Sequence, residues 1–292
     1  MVEQPTFEPE KWIRRIQVRE LPVLRHTKQQ LDDLQEWIDD VTARDIVRIV
    51  MQDPLLSVRM IAHTQKVQKQ SLHHDISTIS SSIMMMGINP FIRSMGDLKS
   101  VEDIMQDVHP QGLLWVLQLI NSARTAARYA NEWALWRVDV NIREIRLAAL
   151  LHDLAEILLY ILEPQLALKI RAIQQHRPDV ESEVAQRVVL GCTFADIQMM
   201  FCHAWNLPSL LSQLIDDRNA GNARVKNVML AVKFARHLAD GGWSNPAVSG
   251  DLTEIAHLLN VDLETLETRL NLTPEAHGSA HLRVEEGDDI LQ

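Results

Sequence analysis

Two adjacent residues, His152 and Asp153, are the first side chains in this sequence that suggest chemistry. They interrupt the apolar segment LAALLHDLAEILLYI at 147–161. Imidazole nitrogens and carboxylate oxygens are common metal ligands, so a neighbouring pair of this kind can contribute to a metal site. The same two side chains can instead form a structural hydrogen bond within a helical core. The pair alone leaves two interpretations open, a cation site or a packed structural pair.

Other residues of similar chemistry have simpler explanations. His203 lies on an apolar helical face, which favours a core or rim histidine over a ligand. Residues 73–75 read His-His-Asp just before a predicted helix, where Asp75 or Ser77 is better explained as the N-cap. The run 84–86 is three methionines, of which helical spacing should bury at least one and partly expose another. This run is interpreted as core packing or, alternatively, as an adaptable partner surface.

The elements that position these side chains are predicted to be helices. Apolar residues recur three and four apart in 113–130 and again in 144–162, which indicates broad helical stripes. Pro54 follows Asp53 and is expected to end one helix or open the next. The pattern as a whole predicts an all-α protein. Two further pairs have the spacing of a capping box: Thr42 with Asp45, and Asp251 with Glu254.

Composition shifts along the chain suggest how it is organised. The polar segment 97–112 contains a proline and a glycine near its end and is expected to link two helical lobes. These lobes are predicted to span 1–108 and 109–272. Residues 239–251 have the composition of a surface loop. Residues 273–292 carry acids and few apolar side chains, so we expect a flexible acidic tail.

The charge balance narrows the class of partner. The 292 residues include 39 acidic and 29 basic side chains, for a net charge of −10. This balance disfavours nucleic acid and anionic membranes, because both are bound through basic surfaces. The amino terminus does not resemble a signal peptide, and no apolar run is long enough to predict a membrane span. With only 2 cysteines, the sequence favours a reducing, cytoplasmic setting.

Several short motifs occur together in a fixed order. ELPVL at 20–24 is followed by the helical segment 41–65, then by DISTISSSIMMMG at 75–87. LLHDLAEILL at 150–159 and AWNLP at 204–208 complete the series. From about residue 20 to about residue 270, the chain thus resembles the HDOD domain, a bacterial branch of the HD phosphohydrolase superfamily. The resemblance implies two helical lobes, of which the C-terminal one is an HD-like bundle.

One motif departs from this family. In the family, the helix that follows a DP-x-L motif ends near Asn-Ser, whereas this chain has His63 and Thr64 there.

The resemblance also implies the ligands of a metal site: a histidine one helix before the His-Asp pair, later histidines, and a closing aspartate. Asn121 lies in the early histidine frame, and Arg236 lies where the closing aspartate belongs. An amide oxygen is a poorer transition-metal ligand than imidazole, and arginine is a permanent cation. The other ligand frames contain Thr193, Asp216 and Asp217. We therefore expect a vestigial site with no metal and no other cofactor.

A vestigial site must still balance the charge of its carboxylate. Asp153 lies among apolar residues, and an unpaired buried charge is costly. In an intact site the closing residue and Asp153 would approach the same cation. We therefore expect the Arg236 guanidinium to bind the Asp153 carboxylate directly, in a charge-assisted and bidentate contact.

These inferences favour a non-catalytic signal-transduction module, which is also what the HDOD resemblance implies. No receiver or output domain is recognisable in the sequence, so we expect separate signalling proteins as partners. One alternative is a metal-dependent phosphohydrolase with rearranged ligands, using Asp216, Asp217 and His203 around the retained pair. The second alternative is DNA binding through 253–270, which has the rhythm of a helix-turn-helix. Its acidic residues would repel phosphates, so it is predicted to be a packed helical hairpin.

Overall fold

A computed structural model describes residues 7–36, 40–68, 77–94, 98–139, 141–177 and 179–270. Over these ranges the chain is helical, and its β pairing is confined to one isolated parallel bridge between Val23 and Ser100. The predicted all-α class is confirmed. The predicted tail 273–292 and the 73–75 cluster lie outside the described residues.

The first part of the chain forms a series of short helices. Their bounds are α1 Pro9–Arg15, α2 Arg25–Glu36, α3 Ala43–Val50, α4 Pro54–Gln68, α5 Ile79–Met86, α6 Ile88–Ser94 and α7 Val101–Met105.

Polar side chains fix where these helices begin. Thr42 and Asp45 form the predicted capping box at the start of α3, which is therefore confirmed. The start of α5 differs from the prediction, because its N-cap is Thr78 and not Ser77. The Ser77 hydroxyl instead donates to the Glu144 carboxylate, 2.9 Å away. A cap requires a particular backbone conformation, which residue type alone does not determine.

Asp53 joins two of these helices. Pro54 opens α4, and the buried Asp53 carboxylate just before it accepts hydrogen bonds from the backbone N–H of Leu55 and of Leu56. Its other oxygen accepts from the N–H of Leu24, 2.8 Å away. One side chain thus satisfies the first turn of α4 and holds the start of α2 against it.

The remainder of the chain forms a larger helical bundle. Its helices are α8 Pro110–Trp136, α9 Ile142–Leu151, α10 Leu154–Leu162, α11 Pro164–His176, α12 Ser182–Leu190, α13 Phe194–Ala204, α14 Ser209–Ile215, α15 Ala223–Ala239, α16 Ala247–Leu259 and α17 Leu263–Arg269. The long α8 packs against α9, α10 and α15 and so forms the centre of the bundle.

The predicted linker 97–112 is more ordered than expected. Ser100 caps α7 within it, and the backbone of Val23 bonds on both sides of Ser100. Pro110 occupies the first turn of α8, where a missing N–H costs nothing, and Gly112 is buried inside that helix. The segment therefore contains α7 and the start of α8, and its role as a link between two lobes stays a prediction. The division at 108/109 stays a prediction.

The region after α15 also differs from its prediction. Helix α16 begins at Ala247, inside the expected loop 239–251, so Asp251 is a buried mid-helix residue and not a cap. The predicted capping box with Glu254 was therefore wrong. As expected, 253–270 forms a hairpin of α16 and α17, with α16 packed on α15. Along the described ranges, no helix has the length and apolarity needed to cross a bilayer.

Candidate functional site

His152 and Asp153 lie at a break between two helices. Helix α9 ends at Leu151 and α10 begins at Leu154, so the apolar segment predicted as one helix is two. The Gln198 side chain of α13 spans the break. Its Nε2 donates to the Leu151 carbonyl at 3.1 Å, and its Oε1 accepts from the Ala155 N–H at 2.8 Å. Gln198 thus satisfies backbone groups that the break leaves without helical partners.

His152 bridges two carboxylates. Its Nδ1 lies 2.9 Å from Oδ1 of Asp153, and its Nε2 lies 3.0 Å from Oδ1 of Asp217. Burial lowers the pKa of His152, but the hydrogen bonds and charges of Asp153 and Asp217 outweigh burial and raise the pKa to about 9. At neutral pH the ring is therefore an imidazolium that donates from both nitrogens.

Arg236 of α15 binds the other side of Asp153. Its Nε lies 2.9 Å from Oδ2 of Asp153, and its Nη2 lies 2.9 Å from Oδ1. The predicted contact between Arg236 and Asp153 is therefore confirmed, and it is bidentate. Burial alone would raise the pKa of Asp153, but the charges of Arg236 and His152 lower it below its usual range. The carboxylate stays ionised between two cations.

A third acid, Glu156, completes the network and was not expected from the sequence. Its Oε2 accepts from Nη2 of Arg236 at 2.8 Å. Glu156 follows Asp153 by three residues, so the two carboxylates lie on one side of the first turn of α10. That spacing was a usable signal once Arg236 was placed at the pair. Burial raises the pKa of Glu156, although the charge of Arg236 opposes this shift.

His152 and Asp153 line a cavity of about 370 Å³. Three more of the predicted site residues, Thr193, Asp216 and Asp217, line it as well but make different contacts. Thr193 is the N-cap of α13 and forms a capping box with Asp196. Asp216 pairs with Arg218, whose Nε lies 2.7 Å from Oδ1 of Asp216. Asp217 is the residue that binds His152. Only Asp217 among these three therefore takes part in the charge network around the pair.

Asn121 does not take the expected position. It is exposed and lines neither this cavity nor the neighbouring one, which is bounded by α8, α10, α11 and α15. The next residue, Ser122, is buried and lines that neighbouring cavity together with Arg236. Successive residues of a helix are rotated by about 100°, so an alignment error of one residue moves a side chain off the face concerned.

His203, proposed as a ligand in the phosphohydrolase alternative, also does not line the cavity around the pair. It is exposed on a different groove, lined in addition by Arg14, Cys192 and Asp196. The rearranged ligand set that includes His203 is therefore not assembled in this structure.

The side chains around the pair do not fit a divalent cation. Arg236 contacts both oxygens of Asp153, and both nitrogens of His152 lie within 3.0 Å of carboxylate oxygens. A metal ligand must offer a free lone pair, and these contacts already engage the ring nitrogens and the carboxylate oxygens. Across the described residues, moreover, no three His, Cys, Asp or Glu side chains are grouped as a metal site. The guanidinium of Arg236 supplies the positive charge that Asp153 requires.

Comparisons with known proteins agree on this fold. The family model described as HDOD domain matches residues 21–220. The structure is similar to that of the MmoQ response regulator from Methylococcus capsulatus str. Bath, with a TM-score of 0.64 at 14% identity, over 86% of this chain and 97% of that one. It is also similar to a virulence factor (cj0248) from Campylobacter jejuni subsp. jejuni, with a TM-score of 0.63 at 18% identity, over 90% and 97% of the two chains. None of the curated proteins compared with the sequence matches it.

Proposed function

Because this chain belongs to the HDOD family, we propose that it is a non-catalytic regulatory module that acts through contacts with separate signalling proteins in the bacterial cytoplasm. The family resemblance supports a role in signal transduction, and one protein of similar fold is named a response regulator. At this level of identity the likeness supports the fold, and the regulatory role rests on the family and on the site.

The contact between Arg236 and Asp153 carries the non-catalytic part of this proposal. A superfamily hydrolase uses a bound metal to lower the pKa of water and to neutralise phosphate charge. Here a side chain that cannot exchange water ligands fills the place next to Asp153. The pairing with Arg236 and with His152 leaves the carboxylate no free oxygen for a cation. The pocket is thus suited to a fixed set of paired charged side chains and not to an exchangeable metal ion.

Metal content and hydrolysis test this part directly. We expect the purified full chain to retain less than one manganese, iron or zinc ion per molecule. We also expect no hydrolysis of generic phosphodiester or phosphomonoester substrates above background with added Mn²⁺. His152→Ala is the matched control, because it removes a side chain that any metal at this site would need. A stoichiometric metal lost in His152→Ala, or an activity abolished by it, contradicts the proposal.

Partner capture tests the regulatory part. The tagged full chain should recover a defined signalling protein from the cells in which it occurs, and that protein, when tagged, should recover this chain. Arg236→Ala is a useful second bait, because the interaction need not depend on the charge network. If no protein is recovered in both directions, action through stable protein contacts is excluded.

A further inference from the structure

A further cavity, of about 460 Å³, lies between the 3-10 turn Val18–Glu20, helix α4 and the residue that follows α13. Its charged lining among the described residues is basic throughout: Arg19, Arg59 and Lys66, with His63 beside them. This is unusual in a chain whose net charge is −10. An acidic protein with a locally basic cavity presents a positive potential there, which attracts anions.

Three of these side chains form one stripe on α4. Arg59, His63 and Lys66 are separated by four and then three residues, so they lie on the same helical face. His63 and Lys66 are exposed, and Arg59 is partly buried at the base of the stripe. These three side chains can therefore donate hydrogen bonds to one anion together.

Arg59 has more N–H donors than its hydrogen bond to the protein uses. One of its N–H groups donates to the backbone carbonyl of Leu21. A guanidinium has five N–H donors, and in the described part of the chain no carboxylate lies within ion-pair distance of Arg59. Burial lowers the pKa of Arg59, and the charge of Asp53 only partly offsets this effect. A partly desolvated cation of this kind is stabilised by a bound anion.

The cavity also has apolar lining residues, which are Ile16, Val18, Ala62 and Trp205. The Trp205 ring is held in place by stacking on Phe201, with ring centroids 4.5 Å apart and planes at 28°. A cavity that combines a basic stripe with apolar lining residues fits a ligand with an anionic group at one end and an apolar group at the other.

We propose that this cavity binds a small phosphate-bearing molecule with an apolar moiety, the phosphate on Arg59, His63 and Lys66 and the apolar part against Trp205. This site is separate from the His152 network and does not depend on the proposed function. It also accounts for His63, which replaces the Asn-Ser ending of the family motif and lines this cavity. Binding of such a ligand would let the chain respond to a small molecule.

Calorimetric titration of the full chain at low salt tests the proposal, with phenyl phosphate and inorganic phosphate as probes. Phenyl phosphate should bind with a dissociation constant below about 10 mM. It should bind about tenfold more tightly than inorganic phosphate does, since its ring buries apolar surface against Trp205. Absence of phenyl phosphate binding, or equal affinities for the two probes, overturns the proposal.

Matched substitutions locate the binding. Lys66→Gln and His63→Gln change exposed residues of the cavity, so the fold should be retained. Each should weaken phenyl phosphate binding by about tenfold, the usual effect of losing one hydrogen bond to a charged group. Lys169→Gln makes the same charge change on the exposed face of α11, away from the cavity, and should leave the affinity unchanged. If Lys169→Gln weakens binding as much as Lys66→Gln does, the binding is nonspecific and the site is wrong.

Discussion

Asp153 accepts a hydrogen bond from Nε of Arg236 at Oδ2, and Nη2 of the same guanidinium lies at ion-pair distance from Oδ1, both contacts being 2.9 Å long. The two partners differ in exposure, because 5% of the Asp153 side chain but 43% of the Arg236 side chain is accessible to solvent. The contact therefore neutralises a buried carboxylate with a cation that keeps part of its hydration. This arrangement avoids part of the desolvation cost of a fully buried ion pair.

Arg236→Ala should destabilise the fold. It leaves Asp153 with His152 as its remaining cationic partner and leaves Glu156 without its cation. Breaking a fully buried pair costs about 3–5 kcal/mol, and the partial exposure of Arg236 reduces this to about 2 kcal/mol in the free energy of unfolding. Urea denaturation followed by circular dichroism measures the loss.

Arg187→Ala is the matched control for that substitution. Arg187 is exposed, and its contacts with Glu183 and Asp196 are both 3.9 Å long. Its removal should change the free energy of unfolding by less than about 0.5 kcal/mol. Equal effects of the two substitutions would show that the contact with Asp153 contributes no more than a surface ion pair does.

The stability of the protein should fall between neutral and alkaline pH because of His152. The pKa of His152 is raised in the folded state to about 9, from an ordinary value near 6.5. Its contribution is therefore complete below about pH 6.5 and is lost as the pH rises through about 9. At most about 3 kcal/mol is at stake, from 1.36 kcal/mol per unit of pKa shift.

His152→Gln isolates this effect from other groups that titrate at high pH. Glutamine keeps a hydrogen-bonding side chain but does not ionise between pH 6 and pH 9.5. The difference in free energy of unfolding between the wild type and His152→Gln should therefore shrink across that interval. A constant difference would mean that the ring is not held as an imidazolium in the folded state.

The contact between Arg236 and Asp153 could be predicted because two independent arguments met at it. Burial required a cation near Asp153, and the family motif placed residue 236 at the same point. Asp217 was assigned to the site, but its bond to His152 could not be predicted, because no rule of spacing relates residues from separate helices. Asn121 shows the limit of the motif argument, since it is exposed, whereas the next residue, Ser122, lines a cavity together with Arg236.

Gln198→Met should destabilise the break between α9 and α10. Methionine has a similar length but can neither donate to the Leu151 carbonyl nor accept from the Ala155 N–H. Each buried backbone group left unsatisfied costs about 1–3 kcal/mol, so we expect a loss of about 3 kcal/mol in the free energy of unfolding. Amide hydrogen exchange at Ala155 should accelerate as well. Unchanged exchange there would contradict this role of Gln198.

The break itself was invisible to sequence inspection. Neither a glycine nor a proline marks it, and the apolar periodicity runs through it without a phase change. The side chain that makes it tolerable, Gln198, comes from α13 and is remote in sequence. The helical structure of this segment could be predicted from local periodicity, whereas the break between α9 and α10 depends on tertiary hydrogen bonds from Gln198.

Asp251 and Glu254 offer a paired test of a second charge cluster. Asp251 is buried and bonds Nδ1 of His237, and the Lys233 ammonium lies 3.2 Å from its other oxygen. Glu254 is only partly buried, with 44% of its side chain accessible, and binds the same lysine. Asp251→Ala should lower the free energy of unfolding by about 2 kcal/mol, because His237 loses its acceptor. Glu254→Ala should cost less than about 1 kcal/mol. Thermal denaturation compares them, and equal losses would contradict the burial argument.

The break between α9 and α10 has an electrostatic consequence that depends on residue order. The carboxyl end of a helix carries a partial negative charge, and the amino end carries a partial positive one. His152 follows the last turn of α9, and Asp153 precedes the first turn of α10, so each charged side chain lies at the helix end of opposite sign. Each such interaction is worth about 0.3–1 kcal/mol, and more where it is partly buried. Exchanging the two, His152→Asp with Asp153→His, would preserve composition yet oppose both macrodipoles. The order His-Asp is therefore favoured here by the helices themselves, independently of any bound ion.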